Sequence, residues 1–394
     1  MKVLVLGGDG YLGWPTALHL SDRGHEVAVL DSGVRRGYDV ELGVESLVPI
    51  RSLEERVAAW AEVSGTRIPV HHTDLLDADA VQQVLADLRP DAVVHYAEQR
   101  SAPYSMLDRA HAVHTQHNNV IGTLNLLYAI GAVDPDIHLV KLGTLGEYGT
   151  PDIDIEEGWL TVEHNGRSDR MLFPKRPGSF YHLSKVHDSH NIEFACRAWD
   201  LRATDLNQGV VYGHHTEQTA RDERLATRFD YDAVFGTVLN RFTVQAVLGE
   251  PLTVYGSGRQ TRGVIDIRDT VECIRLAVEN PADRGEFRVF NQLTESFSVA
   301  ELARLVAGTH PGGAEVVHLD NPRVEADEHH YRVVSTGLPA LGLQPHLLAD
   351  TLLDSLFDLV RRHTGRVDRS ALLPTVQWRL PAHATAPAAE PPGL

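Results

Sequence analysis

Short apolar runs rich in Val, Ile and Leu recur along the first 210 residues, at 3–6, 27–30, 68–71, 92–95, 138–142 and 203–206. Runs this short and this continuous suit strands buried on both faces. Between them lie longer stretches with apolar residues at helical spacing, such as 80–88 and 120–130. The alternation predicts an α/β chain built on a doubly wound, parallel, Rossmann-type sheet. After about 213 the regularity breaks into a charged segment at 214–230, a helical pattern over 233–248, and short strands punctuated by Gly and Pro. A smaller C-terminal, substrate-binding lobe is predicted there, closing over the first. The first lobe takes 1–212 and returns for about 264–296; the second takes 213–263 and about 297–380. Residues 381–394 are Ala- and Pro-rich without apolar periodicity and are predicted to be a disordered tail.

Composition adds exclusions. The chain of 394 residues is 43% apolar and 23% charged, enough for a large core, so disorder is not its dominant state. Its formal charge of −18 repels nucleic-acid phosphate and anionic lipid. No nucleic-acid partner is expected, and an anionic ligand must be held by local Arg, Lys or helix N-termini. Two cysteines, Cys196 and Cys273, make neither a disulfide framework nor a four-ligand zinc site; reduced thiols and no metal are expected. The N-terminal apolar run is too short for a signal sequence, and no stretch of 18 apolar residues follows. The expectation is a soluble cytoplasmic protein with no membrane insertion, or a stromal one whose transit peptide has been trimmed.

Directly after the first run, Gly7, Gly10 and Gly13 stand at G-x-x-G-x-x-G spacing around Tyr11 and Leu12. This suits a tight turn, backbone able to touch a pyrophosphate, and a helix N-terminus facing the anion. Asp31 ends the second run, placed to accept from both hydroxyls of an adenine ribose, which favours NAD over NADP. Arg35 and Arg36 would suit a 2′-phosphate, but the Asp31 carboxylate repels one; Arg35 is read as stacking on adenine or reaching phosphate. Asp74 and Leu75, after the third run, are placed for the adenine ring, with a helix N-cap as the other role for Asp74.

Tyr181 and Lys185, four apart at the start of a helical stretch, share one face. An ammonium beside a phenol stabilises the phenolate, which can take a proton from a sugar hydroxyl. Thr144 follows the fifth run, and Asn119-Val120-x-Gly122-Thr123 is read as opening the helix before it. The order of glycine loop, Asn, Thr, Tyr and Lys resembles the extended short-chain dehydrogenases/reductases. After Thr144 the chain reads Leu145-Gly146-Glu147-Tyr148-Gly149. The adjacent acidic pair of sugar-nucleotide dehydratases is missing, and a plain 4-epimerase needs no carboxylate here. Glu147 therefore points to proton chemistry beyond C4 of a sugar. In the second lobe, the string Tyr255-Gly256-x-Gly258-x-Gln260-Thr261-Arg262 resembles the diphosphate segment of sugar-nucleotide enzymes in that superfamily, which implies diphosphate contacts for Arg262 and, from Asn321-Pro322-Arg323, for Arg323.

The strings AEQRSAPYSMLDR at 97–109, TQHNNVIGTLN at 115–125, LVKLGTLGEYGTPDIDIEEG at 139–158 and SFYHLSKVHDSHNI at 179–192 make the likeness specific. Over roughly residues 1–380 the chain resembles the UDP-sulfoquinovose synthases. That resemblance implies a bound NAD that oxidises UDP-glucose at C4. The C5 proton and the C6 hydroxyl then leave, sulfite adds to the 5,6-enone, and C4 is reduced again to give UDP-6-sulfoquinovose, a sulfolipid head-group donor. It implies catalytic roles for Thr144, Tyr181 and Lys185, with Glu147 and His182 moving protons at C5 and C6, either one as acid or base. Arg100, beside Ser101, is implied as a sulfite or substrate contact, and Asn207 and Gln208 as holding the hexose or diphosphate. Carried over in the same way, Ser32, Asn118 and Val211 join the cofactor set, and Thr237 and Glu325 the substrate set. Sulfite, or a protein delivering it, and a second copy of the chain are the implied partners. The family often has Met where this chain has Leu145, and 214–228 departs from it and is a candidate lid. The competing readings are another NAD-retaining UDP-sugar epimerase or dehydratase, and a non-catalytic NAD sensor.

Overall fold

The computed structural model describes residues 1–326, 328–348 and 352–379; the tail expected at 381–394 lies outside them. The chain runs β1 (Lys2–Leu6), α1 (Gly13–Asp22), β2 (Glu26–Asp31), α2 (Val34–Leu42), α3 (Leu53–Ser64), β3 (Val70–His72), α4 (Ala78–Leu88) and β4 (Ala92–His95). Next come α5 (Ala102–Ser105), α6 (Arg109–Gln116), α7 (Gly122–Val133) and β5 (His138–Thr144). An exposed antiparallel hairpin, β6 (Trp159–His164) and β7 (Arg167–Leu172), leads into α8 (Phe180–Trp199) and β8 (Arg202–Gln208). The remainder is β9 (Val210–Tyr212), α9 (Val238–Leu248), β10 (Leu252–Tyr255), β11 (Thr261–Asp266), α10 (Ile267–Glu279) and β12 (Phe287–Gln292). It ends with β13 (Glu295–Ser298), α11 (Val299–Thr309), β14 (Val316–Leu319), α12 (Gly337–Ala340) and α13 (Leu352–His363).

Seven parallel strands pair in the order β12-β8-β5-β4-β1-β2-β3, with helices on both faces. The apolar runs are continuous because both faces are covered. Val3, Val5, Val27, Val29 and Val94 join one core, while Leu4, Leu6, Ala28, Leu30 and Val93 join the other. The strand order reverses between β1 and β4, which opens a crevice at the strands' C-terminal ends. A third core, with Leu239, Phe242, Val254, Leu302 and Phe357, lies under α9, α11 and α13 beside two small sheets, β9-β11-β13 and β10-β14.

Three local expectations are corrected. Asn119 does not open a helix: α6 and α7 are joined by a π turn at His117–Ile121, and Asn119 sits buried within it. Its side chain holds that turn by bonding Gln99 and Ser184. The helix expected from 233 starts at Val238, because the Asp232 carboxylate accepts from Val234 and Phe235 N–H in a turn and Thr237 then caps α9. The 214–228 segment is not a lid. It packs on α1, where Trp14 Nε1 donates to Leu225 O at 2.9 Å and Arg221 pairs with Asp22; of this segment only Arg228 reaches the crevice.

Candidate active site

The crevice is a cleft of ≈ 990 Å³ at the C-terminal ends of the central strands. Every candidate residue from the sequence lines it except Glu147 and Asn207. At the glycine loop, Gly7 has φ +80°, and a Cβ on Gly13 would sit 2.0 Å from the Gly7 carbonyl oxygen. Only glycine permits this close return of the backbone. No side chain caps the N-terminus of α1, so its free N–H groups remain for an anion in the cleft.

Asp31 is held where β2 ends: Asp9 N–H donates to it at 2.8 Å and Gly33 N–H at 2.7 Å. Arg36 is fully engaged by the protein itself, donating to Asp9 at 2.5 and 2.9 Å and to Arg51 O at 2.7 Å. The buried Arg56 pairs with Asp9 from the other side. Arg35 stacks 3.8 Å above the Phe235 ring and pairs with Asp39 and Asp230. With Arg36 taken up by Asp9 and Arg51 and the Asp31 carboxylate at the tip of β2, the loop fits NAD.

Ser179 caps α8, accepting from His182 N–H at 3.1 Å, and so places Tyr181, His182 and Lys185 in its first turns facing the cleft. Lys185 Nζ donates to Leu142 O at 2.7 Å, pairs with Glu98, and lies 6.0 Å from the Tyr181 ring centroid. Burial, and then the charges of Glu98 and Glu147, push the Tyr181 phenol above its ordinary range. Burial, and then the nearby Arg323, bring His182 down to about 3, so its imidazole is neutral at pH 7. His182 Nδ1 lies 2.9 Å from Ser179 Oγ.

Glu147 turns away from the cleft. Thr144 Oγ1 accepts from Gly146 N–H at 3.2 Å, while Glu147 Oε1 accepts from Thr144 N–H at 3.2 Å, a reciprocal cap that folds the carboxylate beneath the turn. There it is fully buried between Lys141 and Lys175. Burial pushes its carboxyl up, but the two ammonium groups outweigh it and hold the group ionised. The expected sugar-facing Glu147 is therefore corrected: it supports Thr144 from below. Asn207 is likewise buried, donating to Tyr148 OH at 2.7 Å, because β8 passes under the floor before Gln208 reaches the cleft.

Residues 3–291 match the NAD dependent epimerase/dehydratase family. The chloroplastic UDP-sulfoquinovose synthase of Spinacia oleracea is 57% identical over 96% of this chain and 79% of its own length. The UDP-sulfoquinovose synthase of Sulfolobus acidocaldarius is 43% identical over 97% of this chain and 99% of its own. The chain belongs to the UDP-sulfoquinovose synthase family. A Thermus thermophilus UDP-glucose 4-epimerase, solved with NAD, superposes with a TM-score of 0.62 at 25% identity, covering 93% of this chain and all of that one. The synthase is an NAD-dependent enzyme, and the glycine loop and Asp31 are the residues that fit the cofactor.

The synthase cleft also gathers a cationic group. Arg241, Arg262 and Arg323 all line it, with Glu325 paired to Arg262. Arg241 donates to Tyr255 OH at 3.0 Å and packs on its ring, and Arg323 lies over Trp378. Arg100 is paired with Asp230 and donates to Phe235 O at 3.3 Å, so the loop after β4 is bolted to the 230–235 turn. Sequence reading missed Glu98, Arg241 and Asp9. Glu98 stood inside the string at 97–109 without a role read for it. Asp9 stood inside the glycine motif as an unread variable position. No helix among the described residues is long and apolar enough to cross a membrane.

Proposed function

We propose that the protein converts UDP-glucose and sulfite to UDP-6-sulfoquinovose, with Tyr181, Lys185, Thr144 and His182 as its catalytic residues. The observation that carries this is one cleft that joins a Tyr/Lys/Thr group to an NAD-fitting loop and to three arginines suited to a diphosphate, in a chain 57% identical to a UDP-sulfoquinovose synthase. NAD supplies the hydride acceptor and, at the end, the hydride donor. Tyr181 takes the C4 hydroxyl proton while Lys185 steadies the phenolate charge and Thr144 donates to the same oxygen. The resulting ketone acidifies C5–H. His182, a neutral base that lines the cleft beside Tyr181, moves the proton, and the C6 hydroxyl leaves as water. Sulfite then adds to C6, so that –CH2OH and HSO3⁻ become –CH2SO3⁻ and H2O. Arg100 is assigned to the sulfite, and Arg241, Arg262 and Arg323 to the diphosphate.

The sulfite reaches the cleft free or from a delivering protein. The two cysteines are buried and unbridged, which supports a reducing compartment, the cytoplasm or an organelle stroma. Exposed Tyr128, Phe194 and Trp199 on α7 and α8 support a homodimer through these helices. The deciding experiment is product mass after incubating purified protein with UDP-glucose with and without sulfite. A sulfonated product that requires sulfite is expected; UDP-galactose or a stable 4-keto sugar in its place would overturn the reading.

A further inference from the structure

The cleft floor holds one carboxylate that these steps do not use. Glu98 follows β4, is buried, and pairs with the Lys185 ammonium. Apart from that ion pair its oxygens have no hydrogen-bond donor among the described residues. Its position is fixed from both sides. The next residue, Gln99, receives Asn119 Nδ2 at 3.0 Å on its carbonyl and donates its N–H to Asn119 Oδ1 at 2.8 Å. Asn119 Nδ2 also donates to Ser184 Oγ at 2.9 Å, one residue before Lys185. The π turn, the loop after β4 and α8 thus form a clamp that sets Glu98 against Lys185.

The titratable groups around Glu98 are Tyr181, Lys185 and Asp188 on α8, His95 on β4 and Lys141 on β5. His95 is held neutral by burial and by the two lysines, 3.5 Å from Glu98. Burial, and then Glu98 itself, push the Asp188 carboxyl well above its ordinary range. Lys141 is matched by Asp205 at 3.3 Å and Glu147 at 3.4 Å. Lys185 is left with Glu98 as its counter-ion, and Tyr181 stands beside both.

We propose that Glu98 is a positioning residue of the redox site, the buried counter-ion of Lys185 that keeps Tyr181 a hydrogen-bond donor toward the substrate oxygen. The proposal rests on the C4 oxidation assigned above and extends it to the middle of the reaction. After taking the C4 proton, the phenol must keep it while the sugar is a ketone. As an O–H donor to that carbonyl it polarises the C=O bond and acidifies C5–H. An ammonium alone favours the phenolate, which has no proton to donate. Glu98 offsets the ammonium without removing it, so Lys185 still orders the site while Tyr181 remains a phenol through the elimination and the sulfite addition.

The test is the ionisation of Tyr181, read as the ultraviolet phenolate absorbance of the holoenzyme minus that of its Tyr181→Phe counterpart. In Glu98→Gln the phenolate is expected to appear at a pH lower by roughly one unit or more. In Glu98→Gln/Lys185→Met, where both charges are gone, the midpoint is expected to return to within about half a unit of wild type. With UDP-glucose added, Glu98→Gln is expected to form NADH readily at lower pH than wild type but to exchange solvent deuterium into C5 roughly tenfold more slowly. An unchanged midpoint in Glu98→Gln overturns the proposal. If that variant does not fold, the double variant decides, since it buries no unpaired charge; a midpoint a full unit from wild type then overturns the proposal. The titration needs no substrate. Failure of UDP-glucose to reduce the wild-type cofactor would therefore sink the reading of function, while the tyrosine result would still judge Glu98.

Discussion

Glu147 meets the proposed catalytic group at Thr144, whose backbone N–H donates to it and whose turn it closes. Glu147→Gln keeps the shape but loses the charge that balances Lys141 and Lys175. We expect the Thr144 turn to shift and the rate of NADH formation from UDP-glucose to fall roughly tenfold to a hundredfold, since small misplacements in an active site carry such costs. Stopped-flow absorbance measures this. A variant that forms NADH at the wild-type rate yet fails to sulfonate would instead put Glu147 at the sugar. The inward direction of Glu147 was legible in the spacing Thr144-x-x-Glu147, which is that of a reciprocal helix cap. What the sequence could not show is that Lys175, 28 residues away and beyond an exposed hairpin, returns to meet it.

The glycine loop and its flanking elements are local in sequence, and β1, α1 and β2 appear where periodicity places them. The bracing of the loop is less local: Asp9 holds Arg36 from α2 and Arg56 from α3. Asp9→Asn weakens both ion pairs and frees Arg36 beside the ribose site. We expect the ratio of NADP to NAD affinity to rise roughly tenfold, about the worth of one charge-assisted contact, measured by titrating the cofactor-stripped protein with each nucleotide. No change in the ratio would mean Asp31 alone excludes the 2′-phosphate. The π turn and the late start of α9 escaped the sequence for the same reason. Both are set by side-chain hydrogen bonds, Asn119 to Gln99 and Asp232 to Val234 and Phe235, that periodicity does not encode.

For the whole molecule, the parallel sheet followed from the alternation of runs. The strand order β12-β8-β5-β4-β1-β2-β3 did not, since pairing joins strands far apart in sequence. Folding also buries His138 and half-buries His182 and His214. Burial first, then neighbouring positive charges, lower each from 6.5 to about 3. Between pH 6.5 and about 3 the unfolded chain binds protons that the folded chain refuses, so stability is full above this window and falls as pH drops through it. We expect the unfolding free energy to fall steadily from pH 7 to pH 5, by up to roughly 1.4 kcal/mol per pH unit for each such group, and the denaturation midpoint to fall with it. Chemical denaturation at several pH values checks this. A midpoint constant across that range would show that the three side chains take up protons in the folded state.

The charges of this protein fall into two classes by their access to dissolved ions. Lys141, Glu147 and Asp205 under the cleft have no exposed side-chain surface, whereas Arg262 on its wall keeps 25%. Between roughly 0.01 M and 1 M salt the screening length shrinks from about 30 Å to about 3 Å. Mobile ions can therefore enter among the arginines proposed for the diphosphate, but the layer beneath the cleft admits none. Raising the ionic strength is expected to increase KM for UDP-glucose several-fold while leaving the rate of C4 oxidation at saturating substrate unchanged. The ionic strength of the surrounding medium then tunes how much substrate is captured, while the charges that hold the Thr144 turn from below stay out of its reach.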